Sequence, residues 1–306
     1  MSPERVETEV GGRSISLSNL DKVLYPATGF TKGALIDYYA RIAPAMLPHV
    51  QDRPLTLRRY PDGVEGQSFF EKHVPRHAPD WVRTVHVPSA VRGRSRPAAG
   101  GGVEYAVICD LPTLIWAANL ATIEFHVPLW RVGHADPPPG PPDHLVFDLD
   151  PGPGSSIVEC CRVACWIRQR LTADHLEPLA KTSGSKGLQL YVPLDDELTW
   201  EAFQDRAREL ARAIAHDHPD LVVTNMRKEL RPSKVLIDWS QNSPSKTTVG
   251  AYSLRARPEP TASTPITWDE VEECERRGDP ERLKFLSADV LERFDRLGDL
   301  FAPLAR

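Results

Sequence analysis

The sequence lacks the long apolar runs and the spaced cysteine pairs that mark membrane and secreted proteins. No stretch approaches the ~20 apolar residues that a membrane-spanning helix needs, and the opening residues, MSPERVETEVGG, are polar where a signal peptide would be apolar. The chain has five cysteines, and no two of them are spaced as CxxC. A disulfide framework and a structural zinc site are therefore excluded. We expect a protein of the reducing cytoplasm with no membrane contact.

A strong charge of one sign is also missing. The formal net charge is -5 at pH 7, which is unlike a protein that coats nucleic acid non-specifically. Basic residues are instead concentrated in two stretches, 53–96 and 227–257, whereas the acidic excess lies in the tail, 269–299. Two local basic surfaces on a mildly acidic body could hold polyphosphate or a nucleic-acid backbone. Ordinary solvated surface is the alternative, and composition leaves both open.

Proline and glycine divide the chain into parts. With 306 residues, 41% of them hydrophobic, it can form one large domain or two coupled halves, and it contains no internal repeat. The stretch ADPPPGPP, residues 135–142, cannot continue a helix or a central strand. We predict a linker there, between an N-terminal part (1–134) and a module (143–267) that is followed by a helical tail (268–306). The basic, glycine-rich stretch 92–102 is predicted to be a mobile surface loop.

The helices and strands of the module after the linker can be assigned in order. They are a strand at 144–150, a helix with a capping box of Ser156 and Glu159, a strand ending near Thr182, a strand from Leu188, a helix from about Thr199, and strands from Leu221 and Val235. The order strand, helix, strand, strand, helix, strand is the split βαβ, or ferredoxin-like, unit of α+β proteins. Its antiparallel sheet places the last strand beside the first. We therefore expect Asp238 to lie next to Asp148 and Asp150.

The N-terminal part is predicted to be an α/β subdomain. Thr31 precedes a run with apolar residues at helical spacing and fits the N-cap of a helix, whose buried face would be Leu35, Tyr39, Ile42 and Met46. Several short strands follow, and an apolar stretch, TLIWAANLATIEF, leads into His126.

Two aspartates in the strand VFDLD point to metal chemistry. Residues two apart share one face of a strand, so Asp148 and Asp150 present two carboxylates together. Such carboxylates repel unless a cation lies between them, and magnesium or manganese prefers oxygen ligands. Paired ions ~4 Å apart suit phosphoryl transfer. Asp238, in an otherwise apolar strand, could complete the site. Alternatively, the pair merely ends a strand before the PGPG turn.

Other patterns favour a nucleotide as the ligand. The turn 182–187, TSGSKG, offers hydroxyls, backbone amides and an ammonium group, which suits a triphosphate, although a polar hairpin turn is the alternative. Cations and aromatics alternate around Arg58 and Phe70, as stacking on a base requires, although core packing would give the same pattern. Basic residues surround the strand of Asp238, and they are Arg227, Lys228, Arg231, Lys234, Lys246 and Arg255.

Taken together, these motifs resemble the polymerase domain of bacterial ligase D, used in non-homologous end joining, and its stand-alone relatives in the archaeo-eukaryotic primase superfamily. The resemblance covers about residues 17–267. It is carried, in the order of the family, by LSNLDKVLYPATG, FFEKH, HVPLW, VFDLDPGPG, TSGSKGLQLYVPL and IDWSQNSPSKTTVGAYSLR. The fold that it implies is the archaeo-eukaryotic primase type, with an RRM-like or ferredoxin-like catalytic sheet.

The resemblance also implies an activity and a set of partners. The chain would be a nucleotidyltransferase of the primase-polymerase type that adds nucleotides, preferring ribonucleotides, to primer 3′ ends at DNA breaks or gaps by a two-metal mechanism with Mn²⁺ or Mg²⁺. Its partners would be DNA, NTP or dNTP, and, because the sequence contains no ligase region, a separate DNA ligase recruited with Ku. It would act in the bacterial cytoplasm at the nucleoid.

The resemblance assigns roles to single residues. Asp148, Asp150 and Asp238 would bind the metals. The nucleotide would be bound by Arg58 (where relatives carry lysine), by Phe70 stacking on the base, and by Ser183, Lys186, Gln189 and Arg255 at the phosphates, with His126 close by. Lys22 and Lys32 would hold the 5′-phosphate of DNA, and further DNA contacts are expected from Arg227, Lys228, Arg231 and Lys234.

One departure from the family pattern keeps another function open. The family often has histidine where this chain has Gln189, and glutamine can donate a hydrogen bond but carries no positive charge. A DNA-end-binding module with weak or no synthesis is therefore the alternative to an active polymerase. A phosphatase of the DxD type is disfavoured, because Pro151 and Gly152 follow the pair where that class has glycine and threonine.

Overall fold

The helices and strands of this α+β protein follow from a computed structural model that describes residues 5–88, 101–133, 138–194 and 198–305. The helices are α1 (Lys32–Val50), α2 (Leu111–Asn119), α3 (Ile157–Ala173), α4 (Trp200–Asp217), α5 (Trp268–Arg277) and α6 (Ser287–Leu297). The strands are β1 (Arg5–Val10), β2 (Arg13–Ser18), β3 (Val23–Tyr25), β4 (Phe30–Thr31), β5 (Thr56–Arg59), β6 (Phe69–Glu71), β7 (Thr84–Pro88), β8 (Gly102–Ala106), β9 (Thr122–Val127), β10 (His144–Pro151), β11 (Leu179–Thr182), β12 (Leu188–Pro193), β13 (Val222–Val223), β14 (Val235–Asp238), β15 (Thr248–Val249) and β16 (Pro265–Ile266).

The larger sheet contains the predicted ferredoxin-like unit. Its strand order is β13, β14, β10, β12, β11, β16, so the first strand of the unit, β10, lies between the last, β14, and the third, β12. The prediction that the last strand lies beside the first is confirmed. Two short strands extend the sheet beyond the unit: β13 pairs in parallel with β14, and β16 pairs with β11.

The helices of the unit begin where the capping residues indicated. The Ser156 side chain accepts a hydrogen bond from the first turn of α3 while Glu159 binds back to the Ser156 backbone, and Thr199 caps α4. These bonds satisfy amide groups that a helix start leaves unpaired. Cys160 and Cys161 of α3 are fully buried in the core.

A second sheet lies in the N-terminal part, with the order β15, β9, β5, β6. The predicted helix α1 is capped by Thr31, and its apolar face is buried. The edge strand β15 comes from far along the chain, and it pairs Thr248 with Val127 of β9. The segment after β14 thus crosses back to the N-terminal sheet, and one hydrophobic cluster contains residues from both sides of segment 135–142.

Parts of two predicted segments fall outside the described residues. These are most of the loop 92–102, of which Gly102 begins β8, and residues 135–137 of the linker. The division of the chain at 135–142 stays a prediction. The tail is helical, as expected, with α5 packed on α3 and α6 on α1. In the described part of the chain, no helix is long and apolar enough to cross a membrane.

Candidate active site

The three predicted carboxylates lie on two neighbouring strands. Asp148 of β10 is directly opposite Asp238 of β14, and on its other side it is opposite Gln189 of β12. Asp150 follows on the same face of β10. The Gln189 Nε2 amide donates a hydrogen bond of 3.1 Å to Asp148 Oδ1. The register of the sheet therefore brings together Asp148 and Asp238, which lie 90 positions apart in the sequence.

The carboxylate of Asp238 is buried and fully hydrogen bonded. Its Oδ1 accepts from the Ser240 backbone amide at 2.9 Å and from the Ser240 hydroxyl at 2.6 Å, and its Oδ2 accepts from Gln241 Nε2 at 2.9 Å. These three bonds offset the cost of burying a charge in an apolar strand. They also direct both oxygens toward the short turn that follows β14.

Negative charge is concentrated at the end of β10. Burial and the neighbouring charge of Asp150 raise the pKa of Asp148 to about 7, against the hydrogen bond from Gln189, which lowers it. Burial and the charge of Asp238 likewise raise the pKa of Asp150. Carboxylates crowded in this way are stabilised by a cation, and an oxygen-only donor set suits a hard divalent ion. Among the described residues, no three His, Cys, Asp or Glu side chains are grouped closely enough to hold an ion as they lie.

The turn between β11 and β12 is shaped by two residues. The Ser183 hydroxyl accepts hydrogen bonds from the Gly187 amide at 3.1 Å and the Ser185 amide at 3.3 Å. Gly184 has φ +65°, and an added Cβ would lie 2.5 Å from the backbone carbon of Ala262. The turn is therefore held by hydrogen bonds to the Ser183 hydroxyl, and only glycine fits at position 184. Lys186 at its tip is exposed.

A cleft of about 440 Å³ lies over the carboxylates and the turn. Most of the predicted nucleotide and metal residues line it together, and they are His126, Asp148, Asp150, Ser183, Lys186, Gln189 and Arg255. Arg255 donates to the Ser183 carbonyl, and Arg257 donates to the Ser185 hydroxyl. Both guanidinium groups thus anchor the turn while they face the cleft. Asp238 is not among the lining residues, in agreement with its inward hydrogen bonds.

An exposed aromatic ring extends the cleft on the second sheet. Phe70 of β6 is 56% exposed, which is unusual for so large an apolar side chain. Its ring centroid is 5.6 Å from that of His126, and the Arg58 guanidinium carbon lies 5.2 Å from it. A flat apolar face supported by a cation is typical of a platform on which a nucleobase stacks.

The chain matches a known protein family. The family described as "LigD, primase-polymerase domain" matches residues 31–301. The chain belongs to this family. It is accordingly a nucleotidyltransferase domain, as predicted, and a polymerase domain of this type uses divalent metal.

Two curated relatives agree with this family assignment. The multifunctional non-homologous end joining protein LigD of Mycolicibacterium smegmatis is 43% identical over 290 residues, 95% of this chain and 36% of that protein. The bifunctional LigD of Bacillus subtilis is 29% identical over 259 residues, 84% of this chain and 39% of that protein. The chain thus spans little more than a third of the length of these curated relatives.

A solved structure confirms the fold. The polymerase domain of Mycobacterium tuberculosis ligase D in complex with DNA matches with a TM-score of 0.86 at 41% identity, and the match covers 95% of this chain and 98% of that one. The LigD-type polymerase domain described here therefore has the archaeo-eukaryotic primase fold that the sequence motifs implied.

Glu124 lies at the centre of this polymerase site, and sequence reasoning missed it. It is buried in β9, and its Oε2 accepts from His126 Nε2 at 2.9 Å and from Arg58 at 3.4 Å. Its Oε1 accepts from the Ala256 amide at 3.1 Å and lies 3.3 Å from Arg255 Nε. Although burial alone would raise the pKa of Glu124, the hydrogen bond from His126 and the charge of Arg255 hold it well below its usual range. The signal in the sequence that could have identified Glu124 was a single acidic residue in the largely apolar strand TIEFHV.

Lys181 is the second functional residue that sequence reasoning missed. It is 1% exposed in β11, directly across from Gln189 of β12. Its Nζ donates to Gln189 Oε1 at 2.6 Å, to the Ser263 hydroxyl at 2.6 Å and to the Val249 carbonyl at 3.1 Å. Burial lowers the pKa of Lys181 to about 7, against the charge of Asp148, which raises it. A lysine between Ala180 and Thr182 in a buried strand was the available signal.

The two lysines assigned to a DNA 5′-phosphate lie together in another cavity. Lys22, Lys32 and Arg59 line a space of about 780 Å³ that shares no lining residue with the cleft. Lys32 is buried, and its Nζ donates to the Ser18 carbonyl at 2.6 Å. Burial, with the charges of Arg59 and Lys22, lowers the pKa of Lys32 to about 8. Of the two neighbouring cations, Lys22 is paired with Asp62 at 2.9 Å and Arg59 with Glu71 at 2.7 Å, whereas the Lys32 amine is bonded to Ser18.

The remaining predicted DNA contacts are spread along one segment. Arg227 and Lys228 are exposed at a short 3-10 turn, and Lys234 donates to the Pro219 carbonyl at 2.5 Å. Of these four basic residues, Arg231 alone lines the carboxylate cleft. The segment therefore borders the site, with one cation inside and the others facing outward.

Proposed function

We propose that this LigD-type polymerase domain extends primer 3′ ends at DNA breaks or gaps in bacterial non-homologous end joining, in the cytoplasm at the nucleoid. One observation carries the proposal: a single cleft joins paired strand carboxylates, a turn of hydroxyls and amides, and two arginines. Carboxylates that bind cations, placed beside groups that bind phosphate, are what nucleotidyl transfer requires. The names of the LigD relatives and the DNA in the Mycobacterium tuberculosis structure support the biological setting.

The carboxylates would bind two divalent ions. Asp148 and Asp150 present oxygens to the cleft, and Asp238, on the next strand, would join them by giving up a bond to Ser240 or Gln241. Such ions supply activation of the primer hydroxyl and neutralisation of the leaving pyrophosphate. The resemblance favours Mn²⁺ and ribonucleotides.

The protein side chains would position the nucleotide. Lys186, Arg255 and the Ser183 turn would neutralise the triphosphate, since all three line the cleft. Phe70 would stack on the base, with Arg58 and His126 supporting the ring from behind. The base end is thus bound on the second sheet and the phosphate end on the first.

The cavity of Lys22 and Lys32 would hold the 5′-phosphate on the far side of the gap. A dianionic phosphate would replace the repulsion among Lys22, Lys32 and Arg59 by attraction, and would keep the Lys32 amine charged. A bound 5′ end would then place the opposing 3′ end toward the cleft. The resulting nick would pass to a DNA ligase, with Ku as the end-bridging partner.

The test is primer extension on gapped duplexes with Mn²⁺ and labelled nucleotides. We expect extension by the wild-type chain, none by Asp148→Asn, and unchanged extension by Asp174→Asn, a matched control at an exposed position at the end of α3. Wild-type protein that binds 5′-phosphorylated gaps but extends no primer would instead favour the DNA-end-binding module, for which the uncharged Gln189 in the cleft is the specific observation.

A further inference from the structure

The Lys181 ammonium lies beneath the cleft and is hydrogen bonded to Gln189, which lines it. All of its N–H protons are taken up by hydrogen bonds. An ammonium has three protons and no acceptor, and here the three protons go to Gln189 Oε1, the Ser263 hydroxyl and the Val249 carbonyl. With three bonds the group is saturated. Each of its partners must therefore present an oxygen.

This saturation decides which way the Gln189 side chain is oriented. Since the amide oxygen faces Lys181, the amide nitrogen faces the opposite way, where Nε2 donates to Asp148 Oδ1 at 3.1 Å. A flipped amide would place its N–H groups against the ammonium and its oxygen against the carboxylate. Two favourable contacts would become two repulsive ones, so Lys181 and Asp148 together select the orientation, and the Tyr191 hydroxyl adds a longer contact of 3.4 Å to Gln189 Oε1.

We propose that Lys181 is a positioning residue of the polymerase site: by holding the oxygen of Gln189, it keeps the Gln189 N–H donor on Asp148 and so fixes the rotamer of that carboxylate. The Gln189 amide thus lies between the Lys181 amine and the Asp148 carboxylate and is bonded to both. This inference rests on the proposed function in one respect, namely that Asp148 takes part in the reaction.

A purely structural role for Lys181 makes a different prediction. The ammonium also ties β11 to the backbone at Val249 and to Ser263, and these bonds would stabilise the fold whatever residue is at 189. A lysine that acts through Gln189 matters to catalysis only while Gln189 is present. The two roles are therefore separated by changing Lys181 in two backgrounds.

The kinetic test is a double-mutant cycle of Lys181→Met and Gln189→Ala in primer extension at saturating nucleotide. We expect Lys181→Met to lower kcat about 10-fold in the wild-type background and less than about 2-fold in the Gln189→Ala background. Ser263→Ala is the matched control, because it removes another hydrogen bond of the same lysine and leaves the contact with Gln189; its kcat should equal that of wild type. Equal losses from Lys181→Met in both backgrounds would overturn the proposal.

A second test needs no activity. The side-chain amide of Gln189 can be assigned in a ¹⁵N NMR spectrum from the signal pair that disappears in Gln189→Ala. In the wild-type chain we expect these N–H protons to exchange slowly with solvent, and in Lys181→Met to exchange faster. A wild-type amide that already exchanges at the rate of an exposed glutamine overturns the proposal, even if Lys181→Met does not fold. A protected amide in a chain without synthesis would instead leave the positioning intact and refute the proposed function.

Discussion

Glu124 shows how much of the site depends on a single side chain. One buried carboxylate is shared by Arg58, His126 and Arg255, so it holds residues that we propose to support the base platform and to bind the phosphates. Burial also lowers the pKa of His126, against the hydrogen bond and the charge of Glu124, which raise it. A change at Glu124 should therefore be felt at both ends of the nucleotide.

The variant Glu124→Gln tests this sharing. The new amide would place N–H groups against donors, and breaking a buried ion pair in this way should lower the free energy of unfolding by roughly 3 kcal/mol. We also expect the nucleotide KM to rise by about 10-fold, since both arginines lose their fixed orientation. Thermal melts and initial rates measure the two effects. Glu209→Gln, an exposed glutamate on α4, is the control. An unchanged KM would show that Glu124 stabilises the fold only.

Lys32 provides a prediction about pH. The pKa of its amine is lowered to about 8, so in the free protein the group loses its proton as the pH rises through 8. A phosphate stabilises the charged form, so binding takes up protons near this pH and weakens as the pH increases. Between pH 7 and 9, we expect affinity for a 5′-phosphorylated gap to fall more than affinity for a 5′-hydroxyl gap.

Lys32→Arg is the control for that pH dependence, because a guanidinium stays charged throughout the range. The difference between the two DNA ends should then become independent of pH. Binding assays by fluorescence anisotropy supply the measurement. Identical pH profiles for the two DNA ends in the wild-type chain would separate Lys32 from the 5′-phosphate.

At the residue scale, sequence reasoning found the residues that recur in motifs and missed those that act alone. Asp148, Asp150 and the SGSKG turn lie in short runs whose spacing already implies a shared face. Glu124 and Lys181 are single charges in apolar strands, and several of their partners come from distant segments: Arg58 and Arg255 for Glu124, and Val249 and Ser263 for Lys181. Only the tertiary fold brings such partners together, and no local sequence pattern specifies it.

At the element scale, the hairpin between β11 and β12 is the most constrained part of the site. Gly184 combines φ +65° with backbone atoms of Ala262 that lie within 2.7 Å of the position a Cβ would take. Gly184→Ala must therefore strain the turn and displace the Ser183 hydroxyl. We expect a stability loss of roughly 1–3 kcal/mol and a higher nucleotide KM.

Gly278 offers a matched control for that substitution. It has φ +64° at the end of α5, and nothing lies within 4 Å of an added Cβ. Gly278→Ala has a similar backbone cost without a collision, so it should destabilise the chain by roughly 1 kcal/mol and leave the KM unchanged. Equal KM values for both variants would mean that the turn does not hold the nucleotide.

Element types and the order of the catalytic unit could be predicted because caps and periodicity are local signals. Ser156 with Glu159 and Thr199 mark helix starts in the sequence, and both helices begin there. The strand from Leu221 was predicted and is β13, whereas the two-residue strands β15 and β16 could not be predicted, since so short a run has no period. They form because a neighbouring strand offers unpaired backbone groups.

At the scale of the whole molecule, the two candidate sites are separate and should be separable by mutation. The lysine cavity and the cleft have no lining residue in common. Lys22→Ala with Lys32→Ala should lose the stimulation of synthesis by a 5′-phosphate but retain extension of a recessed primer. Asp148→Asn should do the reverse, binding 5′-phosphorylated gaps without extending them.

The salt dependence of DNA affinity provides a quantitative test of this separation. Each lost phosphate contact should reduce the slope of log affinity against log salt by about 1, so the double lysine variant should differ from wild type by roughly 1 to 2. Asp148→Asn should keep the wild-type slope. A lysine variant that loses both activities in parallel would mean that the two sites are coupled.

The crossing of β15 to the second sheet has a consequence for engineering. The ring of Phe70 lies on β6 and the proposed metal-binding carboxylates lie on β10, and the pairing of Thr248 with Val127 is one of the contacts that join the two sheets. Libraries confined to β6 would thus vary the proposed base platform without replacing a residue that lines the cleft. We expect nucleotide preference in this scaffold to be open to selection from β6, whereas changes at Arg58 of β5 would also reach Arg255 through Glu124.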